Sequence, residues 1–488
     1  MSDSQSIEKK MLASTKWSTL GEVAAKLVRP ISNMILARIL VPSDFGVVAT
    51  ITMITSFAEM FKDAGFQKYL IQADIIEEDL PKYANVAFWT NLLVSVIIWF
   101  ILLALRSPLS VLLGDDRLVQ VLPIATISIV ISSLSMIQIG LFRRIFLFKR
   151  LFVIRVVGLI IPLLVTIPLA FLGFKFWAII IGDIMLALVN AIVLTYLSNW
   201  KPSFYYKFGI LKQMFSFSMW TLFEGISIWL TGWIDSFLIG TRMSQQKLGV
   251  YKTSTTNVNS IMSLMTASIT PVLFSGLSRL KDDDEKYFNV FLNMQRLMGM
   301  FVIPIGIGIF TFRDLTTRIL LGKGWGEATL VIGTWALSSA LMIIFGNLFS
   351  EVYRSKGQPK LSVIAQCLHL VFLIPLIIWA VSKGFEFLVI VRSLARLQFI
   401  LVHLIIIKSV FGYSILKILT NLRSIFISAI LMGGVGYLVL KISQNIIVQF
   451  IWVIVCIIVY FGILSLFKDT KKDIKSFYDL LRKKVRSF

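Results

Sequence analysis

The chain has 488 residues, 57% of them hydrophobic, with a mean hydropathy of +0.84 and a formal net charge of +22. That composition excludes a soluble globular domain and predicts an all-α polytopic membrane protein. The 48 Lys and Arg would suit a nucleic-acid partner, but they are distributed by membrane topology, so no nucleic-acid partner is expected.

The polar start M-S-D-S-Q-S-I-E-K-K leads into a full-length span, so no cleavable signal peptide is expected. That first span, near 17–41, is long enough to cross a bilayer, for which about 20 apolar residues suffice. It nevertheless carries Glu22, Lys26, Arg29 and Asn33. At ~100° per residue these four share a narrow wedge of one helix face. Lys26 and Arg29 fall roughly 13–18 Å along the helix from Trp17, near the bilayer midplane. Each cation there costs about 2.5–3.5 kcal/mol to insert. Either the two line a water-filled cavity where an anion binds, or Glu22 pairs with Lys26 at i,i+4 and leaves Arg29 over. Their intramembrane position favours the cavity.

About fourteen spans are predicted along the chain. After the first they lie near 44–62, 84–105, 117–142, 151–172, 176–197, 214–240, 249–275, 288–312, 328–350, 361–382, 385–407, 423–441 and 446–467. With the N-terminus inside, the inner segments carry 30 Lys and Arg and the outer ones 10. This bias predicts an even number of spans, both termini cytoplasmic, and accounts for most of the net charge. Cys367 and Cys456 lie in apolar runs and are read as small core residues.

A weak internal repeat appears at a shift of 203 residues, placing Trp17 on Trp220, Ala37 on Gly240 and Gly46 on Gly249. Six spans precede the second copy, so the repeat is parallel in the membrane. The aromatic and basic segment from Lys201 to Gly209 then links two halves. Spans thirteen and fourteen carry no buried charge and read as peripheral.

Span seven places Glu224, Ser227, Thr231 and Asp235 on one face. Span eight brings Lys252, Thr256, Asn259, Ser263 and Thr270 on or near one face. Lys252 and Asp235 either pair across the outer turn or serve a cavity. Glu224, deeper, either neutralises Lys26 or titrates during transport. Arg392, Arg396 and His403 share a face of span twelve; the arginines either line a cavity, or snorkel or pair with Glu386. Arg296 sits in span nine with Asn293 and Gln295, and His369 reads as a packed polar residue. No enzyme motif is present. G-K-G-W-G-E-A-T at 322–329 lacks P-loop spacing, and Asp282, Asp283 and Asp284 read as a solvated charge run rather than a metal site. Two His and two Cys offer no metal-ligand spacing, so no cofactor is expected.

The motifs L-A-R-I-L-V-P-S-D-F-G (36–46), G-F-Q-K-Y-L-I-Q (65–72), L-F-R-R-I-F-L-F-K-R (141–150), D-S-F-L-I-G with L-G-V-Y (235–251), T-P-V-L-F-S-G-L-S-R-L (270–280) and L-L-G-K-G-W (320–325) occur in order. Through them nearly the whole chain resembles the bacterial polysaccharide exporters. These are the oligosaccharide flippases of the multidrug/oligosaccharidyl-lipid/polysaccharide superfamily, and the nearest branch includes the colanic and teichuronic acid exporters. The polar stretch at 241–247 and Lys252 depart from the pattern. The resemblance implies two six-helix lobes around a central cavity plus two extra helices. The expected organisation is a lobe over 1–200, a linker over 201–213, a lobe over 214–420, two peripheral spans over 421–467 and a basic tail over 468–488. It also implies the substrate, a polyprenyl-pyrophosphate-linked oligosaccharide moved to the outer leaflet of the inner membrane. A polysaccharide polymerase and chain-length machinery are expected as partners beside the lipid bilayer. Lys26, Arg29, Asn33, Asn259, Arg392 and Arg396 are the expected substrate contacts. Thr256, Asn257 and Ser263 offer further partners for sugar hydroxyls, and Glu22, Glu224, Asp235 and Lys252 are the coupling or ion-pair candidates. Two other classes remain open: a multidrug or cation antiporter, which calls for an acidic cavity, and a membrane glycosyltransferase or polymerase, which calls for a catalytic carboxylate in a loop.

Overall fold

The structure is a computed structural model describing residues 21, 24–26, 28–63, 65–266, 273, 277–280, 282–442 and 445–473. The side chains of 63, 216–221, 223 and 224 lie outside that description. The described residues form helices and turns, with no strand among them. Among the described residues, eleven helical stretches are long and apolar enough to cross a membrane, matching eleven of the expected spans. Of the other three expected spans, those near 17–41 and 249–275 contain residues outside the description, and the one near 214–240 contains side chains outside it. The count of fourteen therefore rests on the sequence alone.

The chain packs as two compact units, Met1–Thr253 and Ser254–Phe488. The first begins with α1 (28–39), α2 (Pro42–Asp63), α3 (Phe66–Gln72), α4 (Leu80–Ala104), α5 (Arg106–Leu113), α6 (Leu118–Ala125) and α7 (Ile127–Arg144). It continues through α8 (Phe148–Ile161), a π-turn (Pro162–Thr166), α9 (Ile167–Phe171), α10 (Phe176–Leu197), α11 (Phe208–Arg242) and the start of α12 (Gln245–Thr266). The second unit holds α13 (Asp284–Thr311), α14 (Arg313–Leu320), α15 (Ala328–Met342), a π-turn (Ile343–Asn347) and α16 (Leu348–Ser355). After these come α17 (Lys360–Val381), α18 (Phe385–Phe411), α19 (Ile415–Thr420), α20 (Arg423–Leu440) and α21 (Ile446–Leu464).

Local chemistry sets several of the ends. Pro81 occupies the first turn of α4, where its missing N–H leaves no bond unmade. Gly114 closes α5 at φ 62°, and Gly412 closes α18 at φ 69°. The Asp283 carboxylate accepts the Lys286 amide at 3.1 Å and caps α13. The Lys286 ammonium, 2.8 Å away, helps hold that carboxyl below its ordinary range. Asp284 pairs with Lys356 at 2.7 Å. Two of the three aspartates in this run are thus engaged by lysines. In the first unit one apolar core gathers Phe66, Leu70, Val86, Ile137 and Met214, and another gathers Val47, Met53, Leu118, Val121 and Ile180.

Two glycines permit a close helix approach in this unit. A Cβ on Gly46 would land inside the van der Waals shell of the Gln245 carbonyl oxygen, and one on Gly249 inside that of the Pro42 carbonyl oxygen. Pro42 and Gln245 are themselves 203 residues apart, as Gly46 and Gly249 are. Each copy of the repeat thus contacts the other through equivalent atoms, as a local two-fold axis between α2 and the start of α12 requires. The segment between α10 and α11 is extended and docks on α4: Asn85 and Ser203 exchange two hydrogen bonds, at 2.8 and 2.9 Å, and Trp89 donates to the Ser203 carbonyl at 2.8 Å.

Candidate functional site

Three helical stripes in the first unit converge on one cavity. On α1, Arg29, Ser32, Asn33 and Leu36 recur at i, i+3, i+4 and i+7, which is one face. On α10 the stripe is Ile179, Asp183, Leu186, Asn190 and Leu194. On α8 it is Leu151, Arg155 and Gly158, continued by Pro162 and Thr166 of the π-turn, and α7 adds Ile139 and Arg143. The cavity they enclose has a volume of about 740 Å³. The π-turn follows from Pro162 and Pro168, which lack the amides a regular helix needs; Ile167 instead donates to the Pro162 carbonyl. Gly182 has no side chain to keep Thr166 away, so the turn closes tightly on α10 beside Asp183.

Among the described residues the lining is mainly cationic: Arg29, Arg143 and Arg155 line the cavity, and Asp183 is the single carboxylate beside them. Asp183 is accessible to solvent yet enclosed by protein on most sides, as a group on a cavity wall must be. Arg29 and Glu59 are the charges that act on it. Of the residues expected from sequence, Arg29 and Asn33 are in this cavity. Lys26, three residues before Arg29 in sequence, is half-buried and not among the lining residues. Glu22 lies outside the described residues, as does the side chain of Glu224. Arg143, Arg155, Asp183 and Asn190 were not foreseen as site residues. An ionisable residue such as Arg155 or Asp183 within an apolar span is itself the signal that could have found them.

Asp235 and Lys252 are placed elsewhere in the same unit. Asp235 is buried and accepts the Tyr251 hydroxyl at 2.7 Å and the Ser236 amide at 2.7 Å. The Lys252 ammonium sits over the Trp233 ring, 3.3 Å from its centre.

In the second unit, Trp335 on α15 gathers the other expected contacts. Its indole N–H donates to Asn259 at 3.0 Å, and Arg396 lies 3.5 Å above its ring. Arg396 also donates to the Ser339 hydroxyl at 2.6 Å, and Arg392 lies 5.4 Å from the same ring, buried. These contacts make Trp335 an aromatic platform for both arginines on the facing helix. Arg296 pairs with Asp473 at 2.5 Å and donates to Asn421 at 3.1 Å. His369 is buried, bonded to Gln398 at 2.8 Å and stacked on Phe399. A pocket of about 380 Å³ between α13, α14, α20 and α21 is lined almost wholly by apolar groups, among them Phe301, Ile305, Phe312, Phe450 and Ile457.

The chain matches the family described as polysaccharide biosynthesis protein over residues 35–330. It belongs to that family. The resemblance read from its motifs is thereby shown, and the matched region covers the α7, α8 and α10 stripes of the cavity and, on α1, only Leu36. The chain is 22% identical over 326 residues to the succinoglycan biosynthesis transport protein ExoT of Rhizobium meliloti, a match covering 67% of this chain and 65% of that one. It is 22% identical to the teichuronic acid biosynthesis protein TuaB of Bacillus subtilis, covering 73% of this chain and 74% of that one. Among solved structures it is similar to the lipid II flippase MurJ in an inward closed conformation, with a TM-score of 0.75, 16% identity and coverage of 93% of this chain and 98% of that one. At that identity the likeness carries the fold alone, an all-α multi-pass membrane architecture.

Proposed function

We propose that this member of the polysaccharide biosynthesis family is a transporter, not an enzyme. It carries a polyprenyl-pyrophosphate-linked oligosaccharide, the repeat unit of an O-antigen, capsule or exopolysaccharide, from the inner to the outer leaflet of the cytoplasmic membrane by alternating access. The observation that carries this reading is the arginine-lined cavity among membrane-spanning helices. A pyrophosphate in a poorly hydrated site needs fixed cations with directed donors, and a guanidinium supplies both. Ser32, Asn33, Thr166 and Asn190 add hydroxyl and amide partners for the first sugar. A cavity of about 740 Å³ suits a headgroup rather than a whole repeat unit. The apolar pocket of about 380 Å³ in the second unit suits a stretch of prenyl chain. Names of relatives such as ExoT, a transport protein, and WzxC of Escherichia coli, a lipopolysaccharide biosynthesis protein, support the substrate class. A cation antiporter would call for an acidic lining, whereas among the described residues three arginines and one aspartate line this cavity.

In this reading 1–200 and 214–420 are the moving lobes, 201–213 is the linker, and both termini are cytoplasmic, which the charge bias supports. Lys26, Asn259, Arg392 and Arg396 serve as further substrate contacts. Glu22, Glu224, Asp235 and Lys252 serve coupling or pairing, and the polysaccharide polymerase and chain-length machinery receive the product. The test is complementation of a depleted strain. Depletion is expected to accumulate the lipid-linked oligosaccharide at the inner leaflet, and Arg29→Ala to abolish rescue while expression and insertion persist, since losing an intramembrane cation favours insertion. Arg29→Lys, keeping charge without the planar fork, should rescue in part. Full rescue by Arg29→Ala would sink the cavity as the headgroup site.

A further inference from the structure

Asp183 has no part in the transport step described above, yet it stands in the same cavity as Arg29. Among the described residues it has no hydrogen-bond or ion-pair partner, although Arg29 is close enough to act on it electrostatically. A structural salt bridge would be closed, at bonding distance, to offset the desolvation of both ions. An open pair in a water-accessible cavity leaves each charge available to a second partner. We propose that Asp183 is the exchangeable counter-anion of Arg29: it neutralises the empty site, competes with an incoming phosphate group, and yields the arginine once protonated. This rests on the reading of the cavity as a phosphate-binding site.

The other groups around Asp183 fit that role. From α2 comes Glu59, 3.8 Å from Lys62 and so partly neutralised. From α7 and α8 come Arg143 and Arg155. The π-turn contributes Thr166 and no charge, and neither α6 nor α9 carries a charged residue. With the carboxylate ionised, a doubly charged pyrophosphate meets a like charge in a site of reduced dielectric. When Asp183 takes a proton from the cavity water, that repulsion ends and the full field of the arginines reaches the ligand. By linkage, phosphate binding and protonation of Asp183 favour one another. Headgroup loading would then consume a proton and unloading would release it.

The experiment measures farnesyl pyrophosphate binding to the purified full chain at about pH 5 and about pH 8, a higher and a lower proton activity at the cavity carboxylate. The variants are Asp183→Asn, Arg29→Ala and the double substitution. Titration of the probe itself is common to all and cancels in ratios to wild type. Asp183→Asn should bind about tenfold more tightly than wild type at the higher pH, the order expected when one like charge leaves a partly hydrated site, and the ratio should approach one at the lower pH. The gain should vanish in the Arg29→Ala background. Asp183→Ser, which removes charge and bulk together, should act in the same direction and guards against a folding defect peculiar to the amide. Unchanged or weaker binding by both Asp183 variants at both pH values overturns the inference. If Arg29→Ala alone loses affinity in that case, the phosphate-site reading stands and only the counter-anion falls. If Arg29→Ala also binds like wild type, the site reading has failed as well.

Discussion

Trp335 presents its ring face to Arg396 at 3.5 Å and its N–H edge to Asn259 at 3.0 Å, so a single side chain positions two of the expected substrate contacts. A cation over an aromatic face is worth about 0.5–2 kcal/mol, more where water is excluded. Trp335→Phe keeps the face and loses the donor; Trp335→Leu loses both. We expect Phe to retain most transport and Leu to lose most of it, with a larger fall in melting temperature for Leu. Equal transport by the two variants would make the ring face irrelevant. At this scale the sequence is read unevenly. Arg29 and Asn33 stand out because two cations and an amide share a face of one helix. Asp183 does not, because it is a lone acid in F-W-A-I-I-I-G-D-I-M-L-A-L and its significance depends on α1 and α8, far off in sequence. Lys252 and Asp235 could be placed at one depth from sequence, but the Trp233 face and the Tyr251 hydroxyl that receive them depend on packing geometry.

The family motifs become intelligible where elements meet. G-F-Q-K-Y-L-I-Q and L-F-R-R-I-F-L-F-K-R pack on each other: Gln67 donates to the Met136 carbonyl at 3.0 Å and accepts from Arg143 at 3.1 Å. Arg144 binds the carbonyls of Leu70, Ala73 and Ile75, at 2.7, 2.9 and 3.0 Å, and so ties off the end of α3. D-S-F-L-I-G and L-G-V-Y meet through Asp235 and Tyr251. The repeat was visible in sequence only as a few matched positions, because a helix crossing constrains the residues at the contact and few others. Gly46 and Gly249 are those residues. Any side chain there forces two backbones apart, and overpacking a close contact costs about 1–3 kcal/mol. Gly46→Ala and Gly249→Ala should lower the melting temperature by similar amounts, since their contacts are reciprocal. The double substitution should cost less than the sum, because the first already separates the helices. Additive losses, or a silent change at either glycine, would contradict a shared crossing.

At the scale of the whole chain, the number of apolar segments and the placement of charge say more than any motif. Eleven stretches match expected spans within a few residues, because about 20 apolar residues in a row leave a helix few alternatives in a bilayer. Orientation is a separate matter, and the charge count addresses it. Thirty Lys and Arg in one set of segments against ten in the other is the asymmetry that insertion reads. The tail after Phe467 alone holds eight. A parity argument follows: with both ends on one side the number of spans is even, so the three incompletely described segments must add an odd number of crossings to the eleven. One or three satisfies this, and three restores the fourteen read from sequence. A reporter fused after Phe488 should therefore give a cytoplasmic signal, and one inserted within 313–327, which follows nine expected spans, an external one. Reporters within 41–43 and within 242–246 would locate the uncertain crossings one at a time. An external tail would break the parity and remove the charge argument with it. It would also reverse the α13 end at Asp283, placing the Lys286 and Lys356 cluster on the outer face, where the positive-inside bias predicts few cations.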